Sequence, residues 1–288
     1  MIFHICSLQE VLYPRVIKNT GVSNTIWVII MNEDITILKN YDSVSEDVKF
    51  AANSIIRLKI LAALFEKPQN MRDLADETKL NYSSISSTLN GLELKDFVYR
   101  ESNKYFLSNS LKVQMKHILE LKEVVNLLDK FFNFIDGHVV DMVPVQSVEE
   151  LHMLKQSDLM ESGGINPHKI FDFIEDVLDG ARKVQCILPF YHLDFNKKLN
   201  EMVKNDKTVE VMVSKEVFEI YEDKSKVKYL SSFKGKNNFF LIVTDKRMVL
   251  GLFKENGQFD QNRLITSKNK DSVKWAKNLF KNFKKRNK

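Results

Sequence analysis

Apolar residues recur at helical spacing from Ser45 onward. In SEDVKFAANSIIRLKILAALF, a broad apolar face runs through Val48, Ala51, Ala52, Ile55, Leu58, Ile60, Leu61, Leu64 and Phe65. The spacing predicts a helix with Ser45 as N-cap and Pro68 as its stop. A short helix follows from Asn70 or Met71 to about Thr78, with Met71, Leu74 and Ala75 inward. Leu80-Asn81-Tyr82 makes a turn, and Ser83 to Leu94 reads as a third helix on a stripe of Ile85, Leu89 and Leu92. Two β-prone runs, Phe97–Arg100 and Tyr105–Leu107, flank the polar turn Glu101-Ser102-Asn103-Lys104, which is a hairpin signal. The helical period returns from Ser110 to about Phe134, carried by Leu111, Met115, Ile118, Leu119, Val125, Leu128, Phe131 and Phe132.

The last third changes character. A weak segment, SVEELHMLKQSDLMES, leads to the breaker Gly163-Gly164-Ile165-Asn166-Pro167. Helical runs at His168–Leu178, Leu193–Lys204 and Lys215–Glu222 then alternate with the strand-like runs KVQCILPFY, TVEVMVS and KVKYLSS. NNFFLIVTD and RMVLGLF meet at a tight Thr244-Asp245-Lys246-Arg247 turn, and Asn269–Phe283 is a terminal helix. Such alternation predicts a mixed α/β sheet with helices packed on it. The expected fold is therefore α+β. Residues 1–40 form an N-terminal extension, with Met31 as an alternative start. Residues 41–110 form a winged helix–turn–helix, 111–162 a helical linker that dimerises the chain, and 163–288 an α/β sensor domain with a basic tail.

Composition adds little to this picture and charge adds more. The 288 residues are 44% apolar and 28% charged, as in an ordinary globular chain. Net charge is +5, yet residues 268–288 hold nine Lys/Arg and one Asp, so the remainder is about −3. Cys6 and Cys186 form no cluster, the pattern of a reducing compartment. The apolar run Ile26–Met31 is far shorter than the roughly 20 residues of a membrane span, and MIFHICSLQE lacks a basic start. The expectation is a cytoplasmic protein with no membrane partner.

The third helix is where chemistry enters. If Ile85, Leu89 and Leu92 dock inward, Ser83, Ser84, Ser86, Ser87 and Asn90 lie on the opposite face, with Asn81 and Tyr82 at its N-terminal end. Small hydroxyls and amides let a helix approach duplex DNA closely and read base edges. In the wing, Arg100 and Lys104 reach for phosphates, with Tyr105 a weaker candidate. The competing reading is a protein-docking adaptor whose basic tail gives non-specific nucleic-acid affinity. Residues 41–110 carry nine Lys/Arg against ten Asp/Glu, a poor electrostatic footprint for DNA.

The segment LKILAALFEKPQNMRDLADETKLNYSSISSTLNGLELKDFVYRESNKYFLS resembles the winged helix of archaeal transcriptional regulators of the methanogenesis-regulatory type. HVVDMVPVQSVEELHMLKQSDLMES is similar to that family's helix-Pro-leucine segment. Most specific is FFLIVTDKRMVLGLFKENGQFDQNRLITSKNKDSVKWAKNLFKNFKK. It resembles, in order, the family's "TD" turn, "GLF" strand, "G-x-(F/Y)-D", "LI-(S/T)-S" and "W-A/G-x-x-L-F" elements. The resemblance implies a DNA-binding transcription factor, with duplex DNA as partner and a C-terminal domain that senses a ligand or oligomerises.

For a small-molecule effector, the candidate lining groups at strand ends are Pro189, Phe190, Tyr191, His192, Ser214, Asp245 and Arg247. Each also has a plainer reading: Asp245 as a turn-former, His192 as a cap, Cys186 as a buried apolar residue, and Trp275, Leu279 and Phe280 as the packing face of the last helix. No His-x-Lys pair, phosphate-cradling glycine loop, His-Glu-x-x-His or nucleophile elbow occurs, so an enzyme is not expected, nor a cofactor or metal.

Overall fold

The computed structural model describes residues 49–164, 166–235 and 237–287. They fall into two compact units, divided between Lys112 and Val113.

In the first unit, helix α1 spans Ile55–Glu66, and its N-cap is Ser54, whose Oγ accepts from the Arg57 N–H at 3.3 Å. The single helix expected from Ser45 is interrupted. Residues 49–52 are helical, and Ser54 is extended at φ −141°. Asn53 and Ser54 side chains compete for backbone groups and favour such breaks. Ile55 consequently faces solvent, while Ile60, Leu61, Ala63 and Leu64 form the buried face. Ser45 and Val48 lie outside the described residues.

Helix α2, Met71–Thr78, is capped by Asn70 and ends at Lys79 in the left-handed region, φ 59°. Helix α3, Tyr82–Glu93, starts three residues later. Strands β1, Val98–Glu101, and β2, Lys104–Leu107, pair antiparallel through a two-residue turn at Ser102 and Asn103, both at positive φ. That backbone matches the twist of a hairpin. Gln69 adds a bridge to the free edge of this hairpin. Its backbone bonds Tyr105 in both directions, and its buried side chain donates to the Ala63 carbonyl and the Glu77 carboxylate. Tyr105 is therefore buried, which corrects its candidacy as a phosphate contact: alternation along β2 turns its ring inward.

Helix α4 runs Asn109–Lys130, followed by a turn of helix α5, Phe132–Ile135, and the short strand β3, His138–Val139. After α6, Val145–Glu149, a 3-10 turn at Leu151–Leu154 leads to strand β4, Asp158–Glu161. Then come α7 (Lys169–Asp179), β5 (Lys183–Leu188), α8 (Leu193–Lys204), β6 (Thr208–Ser214), α9 (Lys215–Lys224) and β7 (Tyr229–Phe233). Strands β8 (Phe239–Thr244), β9 (Met248–Lys254) and β10 (Arg263–Ser267) precede helix α10, Lys270–Arg286. The sheet order is β4-β10-β9-β8-β5-β6-β7, with β3 on β9. β5, β6 and β7 are parallel through α8 and α9, and the other pairs are antiparallel.

Both sheet faces are covered, so β8 is apolar at every position except its last, Thr244. Phe239, Leu241 and Val243 face one layer, which holds Trp275, Leu279, Phe280 and Phe283 of α10. Phe240 and Ile242 face the other, formed by α7, α8 and α9. Of the stretch 111–162, expected as a separate linker, residues 113–162 are part of this unit. Leu127, Phe131, Phe134 and Leu154 enter the first layer, and β4 pairs with β10.

The last strands explain the specific sequence elements. A Cβ on Gly251 would lie 2.7 Å from the Phe259 ring, so the glycine of "GLF" makes room for the aromatic of "G-x-F-D". Asp260, 1% exposed, accepts from the Asn262 N–H at 3.0 Å and from Arg263 Nε at 2.8 Å. Its Oδ2 also lies 3.0 Å from His138 Nε2, and the opposite edge of that ring faces the Phe134 carbonyl. Burial alone would raise the Asp260 carboxyl, but the Asn262 N–H and Arg263 outweigh it and hold the group below its ordinary value. Helix α8 is capped by His192, whose Nδ1 accepts from the Phe195 N–H while the ring stacks on Phe171. Burial lowers the imidazole below its ordinary value of 6.5, against the opposing pull of Asp194 and Glu175.

Two outcomes follow. Asp260→Ala leaves the buried His138 ring and the Arg263 guanidinium without their shared carboxylate and should cost roughly 3 kcal/mol in urea unfolding. Because folding weakens proton binding at His192, its stabilisation is complete above about pH 6.5 and fades as pH falls. His192→Asn, a cap that does not titrate, should flatten the melting temperature between about pH 5 and 7 relative to the parent chain.

Candidate nucleic-acid interface and sensor residues

Helix α3 is oriented by three side chains. Ile85, Leu89 and Leu92 are fully buried, spaced four and three residues apart, so the helix can seat in one rotation only. The opposite face carries Ser83, Ser87 and Asn90 exposed, with Tyr82 54% exposed at the N-terminal end. Ser84 and Ser86 are half-buried at its flanks. Asn81 is exposed, but its Oδ1 is committed to the cap: it accepts from the Ser84 N–H at 2.8 Å and the Ser83 hydroxyl at 2.9 Å.

In the wing, Arg100 and Lys104 are exposed. The Arg100 guanidinium donates to Asn103 Oδ1 at 2.6 Å and lies over the Tyr105 ring. That contact holds the guanidinium beside the turn. Glu101 is exposed next to it. The nine residues selected from the sequence lie on α3, at its N-cap and on the β1–β2 hairpin. Gln69, which ties the wing to the α1–α2 corner, was missed. A lone Gln after Pro68 gives no sequence signal.

The effector candidates do not form one site. Thr244 pairs with Val184 near the start of β5, so Asp245 and Arg247 sit at that end of the strand. Phe190 and His192 follow its other end, roughly 16 Å away along the strand. Phe190 packs between Phe240 and Phe259, and His192 caps α8. Ser214 donates to the Pro189 carbonyl. Asp245 accepts from the backbone N–H groups of Arg182 and Lys183. Burial would raise its carboxyl, but these donors and its own N–H hold it below its ordinary value. Of these candidates, Arg247 lines two adjoining clefts and Ser214 lines a third. Burial keeps the Cys186 thiol well above its ordinary value, hence protonated.

Helix α10 continues to Arg286, so the basic residues Lys270–Arg286 are helical. Its outer face carries Lys270, Lys274, Lys277, Lys281 and Lys285 exposed at spacings of three and four. On α4 and the start of α5, Leu121, Val125, Leu128 and Phe132 form an exposed apolar row, while Phe131 turns into the sheet core. No described helix is long and apolar enough to cross a membrane.

Residues 45–129 match the family model described as Methanogenesis regulatory protein FilR1, N-terminal domain, and residues 167–286 match that of its middle domain. The methanogenesis regulatory protein FilR1 of Methanothrix harundinacea (strain 6Ac) is 23% identical over 247 residues, covering 81% of this chain. The chain spans 55% of that relative's length. Among solved structures, the archaeal chromatin protein TrmBL2 aligns with 81% of this chain and 93% of its own at 14% identity and a TM-score of 0.37. NucT from Helicobacter pylori aligns with 45% of this chain and 95% of its own at 13% identity and a TM-score of 0.37. Scores this low establish no common arrangement. Two domain models of one regulator match in order along the chain, as the motif resemblance led one to expect, and the chain belongs to the FilR1 methanogenesis regulatory protein family.

Proposed function

We propose that this chain is a transcriptional regulator that reads duplex DNA with α3 and braces it with the β1–β2 wing. The observation that carries this reading is the fixed rotation of α3. It leaves Tyr82, Ser83, Ser87 and Asn90 on one solvent face, while Arg100 and Lys104 are exposed on the β1–β2 hairpin. Asparagine can pair with adenine, and serines allow close approach to base edges and phosphates. The relative's name, a methanogenesis regulatory protein, supports a regulatory role. The sheet unit would sense an effector or assemble copies of the chain.

The weak point of the footprint is charge, and a dimer would offset it by doubling the contacts. Leu121, Val125, Leu128 and Phe132 are spaced four, three and four residues apart, the alternation of a coiled-coil seam. A second copy of this helix covers such a row with its own. An adaptor that docks protein through α1–α3 is the second reading. The near-neutral charge of that region and the lysine row of α10 favour it.

Ser87→Ala with Asn90→Ala should weaken binding to a duplex site selected from random sequence by about tenfold or more. The melting temperature should stay within about two degrees, since both positions are exposed. Unchanged affinity would place the reading surface elsewhere. Replacing Lys274, Lys277 and Lys281 by Gln separates the adaptor reading: loss of all duplex binding would favour it. Leu121→Glu with Leu128→Glu should turn a dimer into a monomer by light scattering at micromolar concentration, and a monomeric parent chain would contradict the dimer.

A further inference from the structure

Arg247 is an unusual cation in this chain. It follows the β8–β9 turn, and its guanidinium lies 4.9 Å over the Phe173 ring. Its backbone N–H is bonded to Thr244 Oγ1, but among the described residues its side chain has no hydrogen bond and no carboxylate partner. Burial alone lowers its proton affinity. A guanidinium that has given up part of its water is well matched to a carboxylate or phosphate, because its five donors meet an oxyanion's lone pairs.

The space beside it has room for one. A cleft of 630 Å³ lies between the starts of β4 and β9 and the end of β10, and Lys169 and Lys268 join Arg247 in its wall. A second cleft of 360 Å³ shares Arg247 and Lys268 and adds Lys246. The carboxylate in the first cleft, Asp158, is engaged by Lys130 at 3.2 Å, and Asp176 lies in the second. Ser267 and Asn269 complete the wall, their side chains already bonded to Gln156 and to the first turn of α10.

We propose that this cleft binds a small molecule through an oxyanion group, carboxylate or phosphate, gripped by Arg247 and flanked by Lys169 and Lys268. Arg247 supplies the paired donors that fix orientation, and the two lysines supply charge that a neutral ligand would not need. The site's role as an effector site rests on the sensor reading of the sheet unit; the binding itself does not.

The test uses the full chain and two probes at matched ionic strength, inorganic phosphate and succinate, followed by calorimetry. Saturable binding of either probe, weakened at least tenfold in Arg247→Gln and in Lys268→Gln and kept in Lys274→Gln, supports the site. Which probe binds tells phosphate from carboxylate. Lys268→Gln leaves Arg247 on Phe173, so the assignment stays open to test if Arg247→Gln fails to fold. No saturable binding of either probe, or equal binding by the parent chain, Arg247→Gln and Lys268→Gln, overturns the proposal. Duplex affinity is measured in parallel. Probe binding that leaves it unchanged supports the site and removes the effector role, whereas probe-sensitive duplex affinity without dependence on Arg247 overturns the site and leaves the regulator reading intact.

Discussion

The orientation of α3 depends on the burial of Ile85, Leu89 and Leu92, and the proposed function depends on that orientation. Removing three aliphatic side chains from water contributes roughly 5–8 kcal/mol before entropy is charged against it. Rotating the helix by even one residue would forfeit much of that gain and bury serines. The polar face is therefore not a free choice of the surface. It is what remains when the core has been satisfied, and Asn81 at the N-cap and Gln69 behind the wing hold the two ends of the arrangement.

Charge is distributed as if two tasks had been separated. Residues 41–110 are close to neutral, with nine Lys/Arg and ten Asp/Glu, whereas α10 presents lysines along its length. Phosphate neutralisation supplies most sequence-independent affinity for DNA. In the proposed reading, the winged unit contributes selectivity more than strength. Helix α10 is anchored through Trp275, whose Nε1–H donates to the Ser147 carbonyl, and through Leu279, Phe280 and Phe283. Its apolar face is thus committed to the sheet, and only its cationic face is available to a partner.

Much of this was legible in the sequence because the period of burial is legible. Helices α2, α3 and α8 and strand β6 lie within a residue or so of where spacing put them. The failures have physical causes. Asn53 and Ser54 break a run that apolar periodicity alone joins, since pattern counting does not weigh side-chain competition for backbone groups. Strand β4 is a partly exposed edge of four residues and carries little alternation. Phe131 and Phe132 look equivalent in a helical pattern, yet one fills the core and the other faces solvent. For the site, the face of α3 followed from its stripe. The effector residues did not, because strand ends that look equivalent in sequence lie at opposite ends of β5.

The most direct measurement places a photoactivatable phenylalanine at Tyr82, at the exposed start of α3, and maps its crosslinks to a bound duplex. The account predicts adducts on bases within the major groove, confined to one short stretch of a selected site. Adducts only to protein, or none while the duplex remains bound, would contradict it.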